Sequence, residues 1–412
     1  MKERIFSWID NSLEIAAELQ TELTRRPAIS PESGGEGELE KCNFLESWLR
    51  SQGIASLQRY DAPDKRARGA VRPNLLATIP GSTDAGCLWI ISHIDVVPPG
   101  ELSLWNSDPW EAVFAHDAPL GKRFIGRGVE DNQQGLVSSV LAALAFVRQE
   151  IQPQRTVKLL FAADEENGSA YGIDWLLKNH GTLFHKNDMV LIPDSGDAMG
   201  QSIEIAEKNI LWICFVTRGV QAHGSRPDQG INALLAGADL LMQLHRDLSE
   251  IFADHDPLFE PDYSTFQPTK KEANVPNINT IPPEDIFYMD MRILPRYSTS
   301  SVLHEVDRIT AEVAARHKVA IDYSLVQKNE SPPTAADAPL VLALSEAIRE
   351  VYPVNPRPVG IGGGTVGAFL RRAGIDCAVW AKIDNTAHQP NEYALVDNIL
   401  GDSKVMALLM LP

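Results

Sequence analysis

Short apolar runs alternate with amphipathic segments through much of the chain. Five apolar runs are predicted to be strands of a buried sheet, and they lie at residues 75–79, 87–97, 156–163, 189–193 and 376–381. Residues 135–147 are rich in Ala, Leu and Val and predict a helix between two of these strands. Buried strands separated by helices are typical of a mainly parallel sheet with helices on both faces. We therefore predict an α/β fold.

The middle of the chain has a different pattern, because apolar and polar positions alternate as in a sheet with one exposed face. The elements predicted there are, in order, strand 203–217, helix 231–248, strand 286–294, helix 305–317 and strand 319–326. This order favours a compact α+β domain at residues 206–329. We predict that it is inserted into an α/β domain formed by residues 1–205 and 330–412.

The chain is acidic, with 37 Lys and Arg, 55 Asp and Glu and a formal net charge of −18. Nucleic acid and anionic membranes would repel such a protein, so we expect neither as a partner. No apolar stretch approaches the roughly 18 residues of a membrane span, and the first residues lack the apolar core of a signal peptide. The four Cys residues are widely separated, which argues against a thiolate metal site. We expect a cytoplasmic protein.

Acidic residues and histidines follow several of the predicted strands. The candidates that share this position are His93, Asp95, Glu130, Asp131, Asp164, Glu165, Glu166, Asp194 and His388. Ligand crevices of open α/β sheets lie at the carboxyl ends of the strands, so these side chains can converge. Carboxylates beside a buried sheet need compensating positive charge, and a pair of divalent metal ions supplies it. Nitrogen and oxygen donors without thiolates suit Zn²⁺, with Co²⁺ or Mn²⁺ as alternatives.

The local spacing of the candidates adds detail. Side chains at positions i and i+2 of a strand point to the same side, so Asp95 is predicted to accept the second ring N–H of His93. Glu165 and Glu166 cannot point the same way in extended chain, so one can bind metal while the other acts as general base. Taken alone, His-x-Asp is usually a surface pair, and two Glu after a strand usually begin a helix.

The candidates lie in motifs that together resemble a known family, the co-catalytic zinc amidohydrolases. This family includes aminoacylase, acetylornithine deacetylase, succinyl-diaminopimelate desuccinylase, glutamate carboxypeptidase and bacterial dipeptidases. The matching segments are residues 92–98 (SHIDVVP), 110–111 (WE), 126–131 (GRGVED), 164–168 (DEENG), 221–227 (QAHGSRP) and 388–392 (HQPNE). As an ordered series covering nearly the whole chain, they are far more specific than any one motif.

The resemblance implies a role for each matching residue. It implies that His93, Asp131 and Asp194 hold one metal ion, that Asp131 bridges, and that Glu166 and His388 complete a second site. Glu165 would then be the general base, and Asp95 would orient His93. His223 would stabilise the oxyanion, reaching the site from the partner subunit of a homodimer in many relatives.

The resemblance also implies substrate contacts, and they are less secure. Arg292 would bind a substrate carboxylate, Asn279 would contact the substrate, and the main chain at Gly363 and Gly364 would offer N–H groups. A structural hydrogen bond or a surface ion pair explains Arg292 and Asn279 about equally well. The chain departs from the family at Val366-Gly367, where relatives commonly have Ser-Asp, and after Asp131, where many have Met-Lys-Gly.

We predict a two-metal hydrolase that cleaves an amide or peptide bond of a small substrate with a free carboxylate. A dipeptidase or a carboxypeptidase-like exopeptidase is the first interpretation, and an N-acyl amino acid deacylase of the deacetylase or desuccinylase type is the alternative. A metal-free binding protein on the same fold is a third. The inserted domain is expected to act as a lid and to form the dimer.

Overall fold

The chain forms two compact units in a computed structural model that describes residues 1–411. The first unit comprises Met1–Ile205, Thr334–Val359 and the chain from Phe369 onward, and the second comprises Ala206–Pro333 and Gly360–Ala368. The sequence analysis placed 360–368 in the α/β domain. This segment instead joins the second unit, where Lys208 donates its main-chain N–H to the carbonyl oxygen of Ile361.

Ten α-helices and seventeen strands form within residues 1–411. The helices are α1 Lys2–Asp10, α2 Leu13–Thr24, α3 Leu39–Ser51, α4 Gln133–Arg148, α5 Ile173–His180, α6 Ala233–Ile251, α7 Thr299–His317, α8 Pro339–Val351, α9 Gly367–Arg372 and α10 Val396–Met410. The strands are β1 Leu57–Pro63, β2 Val71–Ile79, β3 Cys87–His93, β4 Val113–Asp117, β5 Gly121–Ile125, β6 Thr156–Ala162, β7 Met189–Asp197, β8 Ser202–Glu207, β9 Asn209–Arg218, β10 Ala222–His223, β11 Thr265–Lys271, β12 Thr280–Ile281, β13 Glu284–Ile293, β14 Ala320–Asn329, β15 Arg357–Ile361, β16 Cys377–Lys382 and β17 Tyr393–Leu395. Among the helices of this part of the chain, none is both long and apolar enough to cross a membrane.

The main sheet confirms the predicted α/β class and is mixed in direction. Its eight strands have the order β1-β2-β6-β3-β7-β16-β8-β15. The four central strands β6, β3, β7 and β16 run parallel to one another, whereas β1, β2 and β8 pair antiparallel to their neighbours. Parallel strands end at one edge of a sheet, so the chain leaves all four central strands on the same side.

Helix α4 lies within the first unit and is buried along nearly its whole length, from Gln133 to Phe146. It packs against α1, α2 and α10 and against β3. A helix that is apolar on every side needs partners on every side, which explains its Ala-, Leu- and Val-rich sequence. The start of α4 lies two residues after Asp131, so its packing fixes the chain that follows this carboxylate.

The second unit is built on an antiparallel sheet of order β11-β13-β9-β14. Buried side chains alternate along β13, as the sequence predicts for a sheet with one exposed face. The core between this sheet and the helices α6 and α7 is apolar, and the rings of Phe215 and Phe287 stack at its centre, 4.9 Å apart. Strands β10 and β12 form a separate antiparallel pair in which His223 lies opposite Thr280.

Candidate metal centre

His93 is the last residue of β3, and its side chain faces two carboxylates. It lies opposite Ala162, the last residue of the neighbouring strand β6. Its Nε2 atom is 2.9 Å from Oδ1 of Asp131 and 3.3 Å from Oδ1 of Asp194. Since the side chain of His93 is only 2% exposed, this group of three lies within the protein at the sheet edge.

His388 contacts the other side of Asp131. Its Nε2 atom is 3.1 Å from Oδ2 of Asp131 and 3.0 Å from Oε2 of Glu166. Asp131 therefore lies between the two histidines and presents one oxygen to each. The structure thus brings together five of the predicted residues as two groups, His93–Asp131–Asp194 and Asp131–Glu166–His388, with the donor atoms of each group within 4.8 Å of one another.

The pKa values of the cluster show strong mutual electrostatic influence. Burial lowers the pKa of His93, but Asp194 and Asp131 outweigh it and raise this pKa well above its ordinary value. Hydrogen bonds to Asp131 and Glu166 raise the pKa of His388 to about 10. Burial and the charge of Asp194 raise the pKa of Glu165 well above its ordinary value. Such a concentration of carboxylates attracts cations, here protons on the imidazoles.

The same donor set fits a pair of divalent ions. Two imidazole nitrogens and the oxygens of three carboxylates form two groups that share one member, Asp131. Nitrogen and oxygen donors of this kind suit Zn²⁺ and similar borderline ions. A cation in each group would replace the protons and satisfy the carboxylates.

Asp95 contacts His93 in a way that differs from the sequence prediction. Nδ1 of His93 lies 3.0 Å from the main-chain oxygen of Asp95 and 3.5 Å from its carboxylate. A carbonyl oxygen can only accept, so Nδ1 carries a proton. Once the ring loses its second proton to bind a metal ion, its lone pair lies on Nε2, toward Asp131. The prediction assumed that side chains alternate as in a strand as far as Asp95. β3 ends at His93, so this alternation does not reach Asp95.

The Asp95 carboxylate has another role. Its two oxygens accept the main-chain N–H groups of Glu165 and Glu166, at 3.1 and 3.0 Å. Glu166 contacts His388, whereas the partly buried carboxylate of Glu165 has no hydrogen-bond or ion-pair partner within residues 1–411.

Several supporting residues were missed by the sequence analysis. The side-chain amide of Asn132 donates to Oδ1 of Asp194 at 2.6 Å and to the main-chain oxygen of Pro193 at 2.7 Å. The buried guanidinium of Arg72 donates to Asp164 at 3.1 Å, just before the two glutamates. Arg72 lies just before the predicted apolar run at 75–79, and no pattern around it indicates that it is buried.

The remaining predicted residues, His223, Asn279, Arg292, Gly363 and Gly364, belong to the second unit. His223 is exposed, and its Nδ1 atom accepts the main-chain N–H of Ser225 at 3.1 Å. The proton of the neutral ring therefore lies on Nε2, which makes that atom a donor. The main-chain oxygen of Asn279 accepts the N–H of Gly224 at 2.7 Å, beside His223.

Arg292 is held by two neighbours. Its Nε and Nη2 atoms donate to the carboxylate of Asp290 at 2.7 and 3.0 Å, and Nη1 donates to the main-chain oxygen of Gly362 at 2.8 Å. A guanidinium has five N–H donors, so one remains on Nη1 and one on Nη2. The glycine-rich segment is open beside it, since a side chain at Gly362 would meet no atom within 4 Å.

Comparisons with known proteins agree with the fold and with these motifs. Residues 89–411 match the family described as peptidase family M20/M25/M40. The chain is 36% identical to an uncharacterized metallohydrolase of Methanococcus maripaludis, over 95% of this chain and 98% of that protein. It is 30% identical to a succinyl-diaminopimelate desuccinylase of Cereibacter sphaeroides, over 92% of this chain and 94% of that protein.

A solved structure of a dipeptidase from Saccharomyces cerevisiae has the same fold. It superposes with a TM-score of 0.72 at 17% identity and covers 100% of this chain and 98% of its own. The predicted resemblance is therefore confirmed at the level of the family. The chain belongs to peptidase family M20/M25/M40 and is a metal-dependent hydrolase.

Proposed function

We propose that the protein hydrolyses an amide or peptide bond next to a free carboxylate in a small substrate, as a dipeptidase or carboxypeptidase-like exopeptidase. The observation that carries this proposal is the pair of donor groups that share Asp131, with the unpaired Glu165 beside them. Amide hydrolysis needs an activated water, a polarised carbonyl and a group that transfers a proton. The two donor groups can hold ions that activate the water and polarise the carbonyl, and Glu165 can transfer the proton.

The metal ligands follow from the two groups. His93, Asp131 and Asp194 would hold one ion, and Asp131, Glu166 and His388 would hold the other, so Asp131 belongs to both sites. When bound, such ions lower the pKa of water and polarise a carbonyl group. We propose Zn²⁺ as the resident ion, with Co²⁺ and Mn²⁺ as alternatives, because the donors are imidazole and carboxylate without thiolate.

Glu165 is the proposed general base. Its carboxylate is partly buried and unpaired, so it is available to a water molecule at the sheet edge. It takes a proton from the attacking water and later delivers that proton to the leaving amine, which departs neutral. Asp95 holds the main chain at Glu165 and so fixes the position of this base.

His223 is the proposed oxyanion donor. Ser225 fixes its tautomer so that Nε2 carries the proton, and an N–H aimed at a developing oxyanion lowers the barrier. We further propose that the protein is a homodimer and that the second unit acts as its lid and dimerisation domain. His223 would reach the metal centre either within its own subunit or from the partner subunit. The homodimer and the cytoplasmic location remain predictions.

Arg292 is the proposed anchor for the substrate carboxylate. Asp290 occupies its Nε–Nη2 edge, and one donor on Nη1 and one on Nη2 remain for a substrate carboxylate. Asn279 and the main chain at Gly363 and Gly364 are proposed as further substrate contacts. The open space at the neighbouring Gly362 supports this assignment.

A second candidate function is the deacylation of N-acyl amino acids. It is favoured by the 30% identity to a succinyl-diaminopimelate desuccinylase over 92% of this chain. The same ligands and the same base serve both reactions, because each cleaves an amide beside a carboxylate. The two functions differ in the group on the acyl side of the bond.

A substrate panel tests both proposals. The full chain, freed of metal and then supplied with Zn²⁺, Co²⁺ or Mn²⁺, is assayed with dipeptides and with acetyl- and succinyl-amino acids. Glu165→Gln, given the same metal, is the matched control for contaminating activity. Hydrolysis of dipeptides supports an exopeptidase, and hydrolysis confined to acylated amino acids supports a deacylase. Absence of metal-dependent hydrolysis of every amide in the panel would overturn both.

A further inference from the structure

Two buried carboxylates outside the proposed ligand set, those of Glu130 and Glu392, connect the loops that carry Asp131 and His388. Glu392 is fully buried, and Glu130 is 4% exposed. Glu392 lies in the loop of His388 and accepts hydrogen bonds from the loop of Asp131. Glu130 lies in the loop of Asp131 and accepts hydrogen bonds from the loop of His388. The two residues therefore form a reciprocal connection between distant parts of the chain.

Glu392 holds the Asp131 loop. Its Oε1 atom accepts the main-chain N–H groups of Glu130 and Asp131, at 2.9 and 3.0 Å. Its Oε2 atom accepts the N–H of Gly128 at 3.1 Å and the Nη1 donor of the buried Arg127 at 2.5 Å. The main chain of the shared carboxylate Asp131 is thus bound directly.

Glu130 holds the His388 loop in the same manner. Its Oε1 atom accepts the N–H of Asp384 at 2.8 Å. Its Oε2 atom accepts the N–H and the hydroxyl of Thr386 and the N–H of Ala387, the last at 2.9 Å. Ala387 directly precedes His388, so the bond to its N–H fixes the chain where the imidazole begins.

We propose that Glu130 and Glu392 are positioning residues that set the separation between Asp131 and His388 and thereby the affinity of the metal centre. A carboxylate has about four acceptor positions, and each of these two uses four. A buried carboxylate that loses its donors is costly, so each loop is stable only where it satisfies the opposite glutamate. This inference rests on the metal centre proposed above.

The two residues have separable effects. Glu392 binds the main chain of Asp131, which belongs to both donor groups, so its loss affects both ions. Glu130 binds the loop of His388, which belongs to one group, so its loss mainly affects the ion bound by Glu166 and His388. Gln has the shape of Glu but puts an NH₂ group against N–H donors, which makes Gln the informative substitution.

Asp188 offers a matched control. It is 4% exposed and accepts N–H groups from Cys87, His185 and Trp89, at 2.8, 3.0 and 2.8 Å. It lies just before β7 and next to the first residue of β3, at the edge of the sheet opposite the cluster. Asp188→Asn therefore disturbs a similar buried carboxylate without touching either loop.

The experiment measures Zn²⁺ binding to the metal-free full chain by equilibrium dialysis with elemental analysis, and thermal unfolding of the same samples. Disruption of groups that orient metal ligands typically weakens metal binding about 10- to 100-fold. We expect Glu392→Gln to lower the affinity for both ions by about tenfold or more. Glu130→Gln should lower the affinity for one ion to that extent and leave the affinity for the other unchanged. Asp188→Asn should leave both affinities unchanged.

The milder Thr386→Val variant removes a single donor to Glu130 and covers the case in which a Gln variant does not fold. It should lower the affinity for the same ion as Glu130→Gln does, but by a smaller factor. Unchanged affinities in the folded variants, or an equal loss in Asp188→Asn, would overturn the positioning role. If the wild-type chain binds no Zn²⁺, the proposed metal centre is refuted. If wild type and variants bind two ions with equal affinity, the metal centre stands and only the positioning role is refuted.

Discussion

Asp95 contacts His93 through its main-chain carbonyl oxygen, which lies 3.0 Å from Nδ1, whereas its carboxylate holds the turn at Glu165 and Glu166. One residue thus serves two proposed functions with different atoms. The carbonyl, which every substitution retains, fixes the tautomer of His93. The carboxylate, which a substitution removes, fixes the base and one ligand of the second ion.

Asp95→Ala should therefore lower turnover and spare the ion held by His93. We expect a loss of about 10- to 100-fold in kcat, because the turn at Glu165 and Glu166 loses both of its acceptors. Steady-state kinetics and metal analysis check this. Asp61→Ala, an exposed aspartate paired with Arg59, is the control and should be neutral. Full activity in Asp95→Ala would contradict the role of its carboxylate.

Glu165→Gln should retain metal and lose activity. Removal of a general base lowers turnover by about 10²- to 10⁴-fold, and the carboxylate of Glu165 lies outside the two donor groups. The neighbouring Glu166→Gln is the comparison, since it should weaken one ion. Activity and bound metal are measured on the same preparation. A Glu165→Gln variant as active as wild type would refute the assignment of the base.

His223→Ala should leave metal content intact and lower kcat by about 10²- to 10³-fold, as expected when one oxyanion donor is lost. Ser225→Ala should have a smaller effect, because it removes the hydroxyl beside Nδ1 but keeps the main-chain N–H. The kinetic constants of both variants are compared with wild type. A rise in KM at constant kcat would indicate that His223 binds the substrate instead.

Zn²⁺ affinity should increase with pH. Hydrogen bonds to Asp131 and Glu166 raise the pKa of His388 from 6.5 to about 10 in the metal-free protein, so its ring is protonated at neutral pH. The ring must lose that proton to bind a metal ion, and binding therefore releases protons. Calorimetry in buffers of different ionisation enthalpy measures this release between about pH 6 and about pH 9. A pH-independent affinity would be inconsistent with His388 as a ligand.

The same pKa shift affects the stability of the metal-free protein. A folded-state pKa above the unfolded value contributes stability that is complete below pH 6.5 and is lost as pH rises through about 10. Chemical denaturation across this range checks the sign. His388→Ala, measured alongside wild type, should lack this part of the alkaline loss.

Arg292→Met should raise KM about tenfold or more for substrates with a free carboxylate, because a charge-assisted hydrogen bond is lost. The matching substrate with a carboxamide in place of that carboxylate should be affected far less. Arg296→Met is the control, since Arg296 is half exposed and pairs with Asp254 on the surface. Equal effects on the acid and the amide would show that Arg292 has a structural role.

The fold class could be predicted because strands buried on both faces have a distinctive apolar composition. The direction of the flanking strands could not. β2 is as buried as the central strands although it runs antiparallel to β6, so burial carries no information about direction. β1 went unpredicted because its polar sequence, LQRYDAP, has the mixed exposure of an edge strand.

The convergence of His93, Asp194 and His388 could be predicted, because they end, lie in or follow the parallel strands β3, β7 and β16, whose carboxyl ends share one edge of the sheet. The contacts that hold these residues could not. Asn132, Glu130 and Glu392 act between loops that are far apart in the chain, and nothing in their own sequence surroundings indicates which main-chain groups they reach. The contact of Asp95 was also predicted wrongly, because side chains alternate in direction only within a strand and β3 ends before Asp95.

Strand β16 lies between β7 and β8 in the sheet although it comes late in the chain, and His388 and Glu392 follow it. During synthesis a ribosome therefore releases most of the first unit before the interior of its sheet can close. Until that late segment emerges, β7 lacks its neighbour β16, and the donor group Asp131–Glu166–His388 lacks its histidine.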